Sequence, residues 1–302
     1  MRSVGRRAAL LGLAAAGIGS LVQFALPAHG GARIRRIGST LLNSTTRIAK
    51  EIVDARCGAL FHLSALRDRG GAIRLAELGH WRSLLSRTHI HPLKDVERAF
   101  VTSRTVADTS NSVLVIDLCI ADPNLIDQEL RGLGELIRET GEGVVVAADL
   151  DGVAYAIGRV GPRTIAAVPA EQAAELARFK GAATLPEATD GEAVGVFADD
   201  PAVSLNALCS FPASLSALEI DLVFGDAGAT IDLVATSTSN DQAVEDAKVL
   251  GATIGKMLEV DLLLFEVHLL GPIKSVANGN KVEMFASLGR AELDLLLALG
   301  SL

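Results

Sequence analysis

One stretch constrains the fold more than any other: Leu218-Glu-Ile-Asp-Leu-Val-Phe224, then Gly225-Asp-Ala-Gly228, then Ala229-Thr-Ile-Asp-Leu-Val-Ala-Thr236. Apolar and polar residues alternate on both sides of a glycine-bounded turn, which is the pattern of a hairpin with one buried face. Ile220, Leu222 and Phe224 share one side, and Ile231, Leu233 and Ala235 share the matching side opposite. A chain holding this hairpin needs an antiparallel sheet and something apolar to lay against it.

Similar signals recur along the chain. Val96–Ser103 and Ser112–Ile120 flank a polar turn and predict a second antiparallel pair. Val144–Ala148 and Val153–Val160 flank Asp149-Leu-Asp-Gly152, a third hairpin with Asp-Gly at its tip. Cys57–Leu63, Thr164–Val168, Ala193–Ala198, Leu264–Leu269 and Lys281–Leu288 read as further strands. Helical spacing predicts helices over Arg33–Ala55 (with polar interruptions), Ala72–Ser86, Leu125–Thr140, Ala170–Lys180, Asn240–Leu258 and Arg290–Leu299. Asp122-Pro-Asn124 caps the third of these, and Gly181 ends the fourth. Pro201–Phe211 reads as a helix or loop.

The fold class expected is α+β. Strand, helix, long hairpin, helix, hairpin and short helix recur in that order, which predicts two similar units with antiparallel sheets and flanking helices, an internal duplication. The first unit spans 33–180 and the second 192–302, joined by a linker at 181–191 that is rich in Ala, Thr, Pro, Glu and Asp.

The N-terminus sets a location. Arg2, Arg6 and Arg7 precede an uncharged run from Ala8 to Leu26, and Pro27-Ala-His-Gly-Gly-Ala32 follows with small residues and a helix breaker. Residues 1–32 therefore read as a signal peptide or a membrane anchor. Arg6-Arg7 resembles a twin-arginine signal, with a loose match in the residues that follow. Arg33, Arg35 and Arg36 come at once after the segment, and positive charge there opposes translocation by the general route, so both a removed signal and a retained anchor stay open. The expected location is the periplasm or cell envelope, with residues 8–26 tethering the chain to the inner membrane if uncleaved.

Composition excludes some partners. The formal net charge is −8 over 302 residues, and several of the arginines crowd the first 36 positions, so the body is more acidic still. An acidic body repels phosphate backbones, which argues against nucleic acid. With one Trp and one Tyr, stacking platforms are also scarce. Cys57, Cys119 and Cys209 are too widely spaced for a zinc or redox motif, and read as buried thiols, Cys119 inside a strand. An exported body leaves room for one disulfide among them, with no pair singled out.

His91-Pro-Leu-Lys-Asp-Val-Glu-Arg-Ala-Phe-Val101, then Arg104 and Ser112-Val-Leu-Val-Ile116, resembles uncharacterised bacterial envelope proteins. These have an export segment followed by strands and helices in this order. The resemblance covers residues 55–170 and its motifs are structural. It implies a location and an α+β body, and carries no activity with it.

Candidate chemistry is sparse. His89 and His91 form an H-x-H pair beside Asp95 and Glu97; on a strand both imidazoles would face one metal, whereas Pro92 favours a solvated turn. Asp149, Asp151 and Gly152 look superficially like a calcium loop, but its twelfth position is Val160, so the hairpin turn is the better reading. Asp199-Asp200-Pro201 suits a helix N-cap more than an acid/base pair. Asp117 and Asp232, each within Ile-Asp-Leu, are expected to face solvent on the open side of their sheets, or to line a shared polar groove if those faces meet. G-x-S-x-G, Walker A and G-x-G-x-x-G motifs do not occur. No catalytic, cofactor-binding or metal residue and no cofactor is assigned.

The function expected is a non-enzymatic exported or membrane-tethered protein offering a binding or assembly surface to a protein partner or an apolar ligand. The rival expectation is an envelope hydrolase, metal-dependent through His89, His91 and neighbouring acids.

Overall fold

The computed structural model describes residues 43–67, 87–108, 110–120, 122–140, 143–150, 152–182, 184–188, 191–225, 228–257, 259–262, 265–268 and 274–289. The expected signal peptide or anchor at 1–32 and the helices expected over Ala72–Ser86 and Arg290–Leu299 lie outside these residues. No described helix is long and apolar enough to cross a membrane.

The protein is a mixed α+β fold built on one twelve-stranded antiparallel sheet. Its first part contributes β1 (Cys57–His62), β2 (Val96–Ser103), β3 (Ser112–Leu118), β4 (Glu135–Thr140), β5 (Gly143–Leu150), β6 (Val153–Arg159) and β7 (Thr164–Pro169). The second part adds β8 (Glu192–Asp199), β9 (Leu215–Gly225), β10 (Gly228–Ser237), β13 (Lys274–Asn278) and β14 (Lys281–Gly289). The order across the sheet is β13-β14-β10-β9-β8-β1-β2-β3-β7-β6-β5-β4. A separate two-stranded piece pairs β11 (Glu259–Leu262) with β12 (Phe265–His268). The two parts are joined edge to edge by antiparallel pairing of β1 with β8, from Cys57 opposite Ala198 to Phe61 opposite Val194.

Alternation along the strands gives the sheet two distinct faces. One is apolar from end to end: Ile116 and Leu118, Ile157, Val144 and Val146, Val194 and Val196, Ile220 and Leu222, Ile231 and Leu233 belong to one continuous core. Two helices cover it. Helix α4 (Pro123–Leu133) buries Ile126, Leu130 and Leu133, and α6 (Asn240–Met257) buries Ala243, Ala247 and Leu250. The opposite face holds a smaller core around Leu60, Phe100, Val115, Ala156, Ala166 and Phe197. It is covered by α1 (Ser44–Ile52), through Ala49 and Ile52, and by a 3-10 helix, Ala170–Phe179, through Leu176 and Phe179. Each large apolar side chain withdrawn from water here contributes about 1.5–3 kcal/mol. Phe100 and Phe197 stack at 6.2 Å, and Lys50 Nζ lies 4.0 Å over the Phe197 ring, closing this core at its solvent side. Helix α1 starts in a capping box: Asn43 accepts from the Thr46 backbone while the Thr46 side chain takes the Asn43 N–H.

The Leu218–Thr236 hairpin forms in the expected register, with Ile220 opposite Leu233 and Leu222 opposite Ile231. Two expectations are corrected. The helix expected over 125–140 ends at Leu133, and residues 135–140 become β4, paired with β5. The switch point is Gly134, which lies against the next strand so closely that a Cβ would sit 1.9 Å from the Ala147 carbonyl oxygen. The helix at 170–179 is of the tighter 3-10 type with a break at Gln172. Strands β11 and β13 were not legible as strands, being short and mixed in polarity.

Because only glycine fits between α4 and β4, Gly134→Ala is expected to displace β4 and destabilise the protein by about 1–3 kcal/mol, the usual cost of overpacking. Urea unfolding together with hydrogen exchange checks it: the Glu135–Thr140 amides should lose protection first. An unchanged midpoint with β4 still protected would refute the assignment.

Candidate functional site

The strands around the β1–β8 junction carry a band of ionisable side chains on the face opposite the main core. In the first part the band follows the sheet register: His62 on β1 is opposite Arg98 on β2, Arg98 opposite Asp117 on β3, and Asp117 opposite Thr164 on β7. All four are buried. Asp117, expected at solvent, is 2% exposed. Its Oδ1 accepts from Thr164 Oγ1 at 2.7 Å and its Oδ2 from the Leu185 backbone N–H at 2.8 Å, with Arg98 Nε 3.3 Å away. Arg98 Nη1 in turn donates to the Leu185 carbonyl at 2.8 Å.

Both backbone groups of Leu185 are thus held by one buried ion pair, and Leu185 itself is buried in the smaller core. Asn43 at the head of α1 also donates to the Thr184 carbonyl. The described part of the expected linker is therefore a strap drawn across the sheet face. The pairing satisfies the buried carboxylate and guanidinium that would otherwise be costly to desolvate.

Past β1 the band turns acidic. His62, 1% exposed, points Nε2 at Glu192 of β8, 3.7 Å from its Oε1. On β9 and β10, Asp221 lies directly opposite Asp232, with Glu219 two residues along the same face. Burial raises the Asp221 carboxyl, and the charges of Glu192, Asp232 and Glu219 raise it further, to about 7. Burial also raises Asp232, and it raises Glu219 against the opposing pull of Lys281. Sequence reasoning did not single out His62, Arg98, Glu192 or Asp221. The available signal was a polar residue inside an apolar strand, as in Leu60-Phe-His-Leu63 and Arg98-Ala-Phe100.

The residues singled out from the sequence are dispersed. His89 is 96% exposed; its Nδ1 lies 3.1 Å from Glu129 Oε1, and its backbone N–H donates to Glu129 Oε2. His91 precedes the short helix α3 (Pro92–Asp95; α2 is Leu63–Leu66), and its backbone N–H donates to Asp95 Oδ2 at 2.7 Å. The pair stands outside any strand, so the two rings are not aligned by one, as a shared metal would need. Among the described residues no group of three or more His, Cys, Asp and Glu side chains is placed to hold a metal ion.

Asp149 closes its hairpin turn by accepting from the Gly152 N–H at 2.7 Å, as expected; Asp151 lies outside the described residues. Asp200 does occupy the N-cap position of α5 (Pro201–Ser204), but in a left-handed conformation and without a side-chain cap. Its carboxylate is 3.4 Å from Arg56, and that of Asp199 is 3.3 Å from Lys50. Exposed pairs of this kind contribute up to about 1 kcal/mol each.

All three cysteines are free thiols. Cys57 is buried, and burial raises its thiol to about 11. Cys119, expected inside a strand, is exposed just past the end of β3, where Arg67 Nη2 lies 3.0 Å from its sulfur.

Two predictions follow from the band. Asp117→Ala leaves Arg98 buried without its carboxylate and should cost about 3–5 kcal/mol; limited proteolysis should then cut near residues 184–188, and an equally resistant strap would disprove the clamp. For Asp221, the folded carboxyl titrates near 7 and the unfolded one near 3.9, so the folded state holds the extra proton between them. Stability should therefore fall as pH rises from about 4 to about 7. Asp221→Asn should flatten that slope and raise Tm above neutrality; the same slope in the variant would exclude this origin.

No protein-family model matches the chain, and no curated protein matches it. Among solved structures it is similar to crystal form I of TP0453, with a TM-score of 0.50 and 10% identity over 83% of this chain and 96% of that one. Crystal forms IV and III of the same protein give TM-scores of 0.45 and 0.44 at 10% and 12% identity. At such identity the likeness concerns the fold alone.

Proposed function

We propose that the chain is a non-enzymatic envelope protein, exported or tethered by its N-terminal segment, that offers the edge of its sheet as a binding or assembly surface. It would then belong with the envelope proteins that its 55–170 stretch resembles. The observation that carries the reading is β4. All six of its residues are exposed, and Leu136 and Ile137 stand 50% and 51% open. An edge strand presents a row of unpaired backbone N–H and C=O groups, and exposed apolar side chains add area for an incoming extended segment.

The body would have arisen by duplication. Outward from the β1–β8 junction, one part reads β1-β2-β3-β7-β6-β5-β4 and the other β8-β9-β10-β14-β13, the same order of hairpin, return and meander. In each part a helix follows the third strand and is fastened by one buried aspartate. Asp127 of α4 pairs with Arg159 at 2.8 and 2.9 Å, and Asp246 of α6 accepts from Ser214 at 2.6 Å and Ser237 at 2.7 Å. Asp117 and Asp232 each lie on the third strand of their part, on the same face of the sheet.

The test is fractionation of cells expressing the full chain with a C-terminal reporter and a photo-crosslinking side chain at position 137 or, as control, at the equally exposed Val249. The expected result is an envelope or membrane fraction with adducts from position 137 that disappear in the Leu136→Lys variant. A free cytosolic product, or adducts equal at both positions, would overturn the proposal.

A further inference from the structure

A cavity of about 290 Å³ opens between the β4–β5–β6 corner of the sheet, the turn at Gly161 and the end of the 3-10 helix. Its floor is apolar: Val145 and Leu176 are buried core residues, and Val160 and Pro162 form the wall. Its rim is cationic, with Arg138 of β4 and Lys180, both exposed, on the lining. Arg159 also lines it, held bidentately by Asp127 through Nε and Nη2.

We propose that this cavity binds a compact organic anion, a carboxylate carried on a short apolar body. The size follows from the volume. At about 30 Å³ per water in the liquid, the space holds about ten waters, the bulk of a medium-chain carboxylic acid. The chemistry follows from the lining. An apolar floor rewards burial of a hydrocarbon in proportion to area, and cations on the rim orient the charged end outward. A bare phosphate would forgo the floor, and a neutral hydrocarbon would forgo the rim. The cavity lies on the face that carries the smaller core; it shares Arg138 with β4 and does not depend on the envelope location.

The experiment measures binding of octanoate to the purified protein by calorimetry and by its effect on Tm, beside 1-octanol (the same chain without the charge) and acetate (the charge without the chain). Octanoate is expected to bind at least about tenfold more tightly than either. The Arg138→Gln/Lys180→Gln double variant should lose that advantage while binding 1-octanol unchanged. Raising salt until the Debye length falls from about 10 Å to about 3 Å should weaken octanoate and leave 1-octanol alone, a reading that needs no variant. Equal binding of octanoate and 1-octanol, an octanoate affinity indifferent to salt, or an undiminished affinity in a folded double variant would each overturn the proposal.

Discussion

The pairing of β1 with β8 is the contact on which the rest of the molecule depends. It joins segments that are far apart in sequence, and it turns two sets of strands into one sheet with two continuous faces. Bringing such distant segments together has a loop-closure cost that grows slowly with separation, and the gain is large because each face then becomes a single surface. On one side that surface is apolar across nearly every strand, so α4 and α6 share one core rather than sealing two small ones. Larger cores bury a greater fraction of their surface, which is the physical advantage of the junction.

The same junction places unlike charge on the other face. Toward β3 the buried groups are complementary: Arg98 meets Asp117, Arg98 Nη1 donates to the Leu185 carbonyl, and Asp117 accepts from Thr164 and the Leu185 N–H. Toward β10 the strands set Asp221 against Asp232, with the charges of Glu192 and Glu219 acting in the same direction. Like charges directly opposite one another on a sheet are destabilising, and together with burial they push the Asp221 carboxyl up to about 7. One side of the face is locked by a strap, and the other is held in a proton-dependent balance.

How much of this the sequence disclosed depends on whether the determining contact is local. The Leu218–Thr236 hairpin was legible because its turn and its alternation lie within one stretch, and so was the Asp149–Gly152 turn. Helix α4 was extended too far because Leu136 and Ile137 continue a helical spacing, while the factor that ends it is the carbonyl of Ala147 lying against Gly134. Asp117 was assigned to solvent by the rule that a polar residue in an amphipathic strand faces water. Its burial depends on Leu185, 68 positions away, crossing over it, and no local pattern announces that. His89 and His91 drew attention as a ligand spacing, yet a strand is what would align them, and Pro92 begins a helix there instead.

An open antiparallel sheet of this width must end somewhere, and its two ends are treated differently. At β13 the helix α6 packs alongside, and Ser275 donates to the Ala247 carbonyl, so the terminal strand is tied to a covered core. Among the described residues β4 is paired on one side only, its register is broken between Leu136 and Arg138, and Glu135, Arg138 and Glu139 punctuate it with charge. Bulges and charges on an edge are the usual means by which a protein discourages its own copies from adding there. Those devices act against indiscriminate pairing, and they would be superfluous on an edge that was simply covered. Leu136 and Ile137 are nevertheless left half open between those charges, and under the proposed reading the charges select which partner the open apolar pair admits.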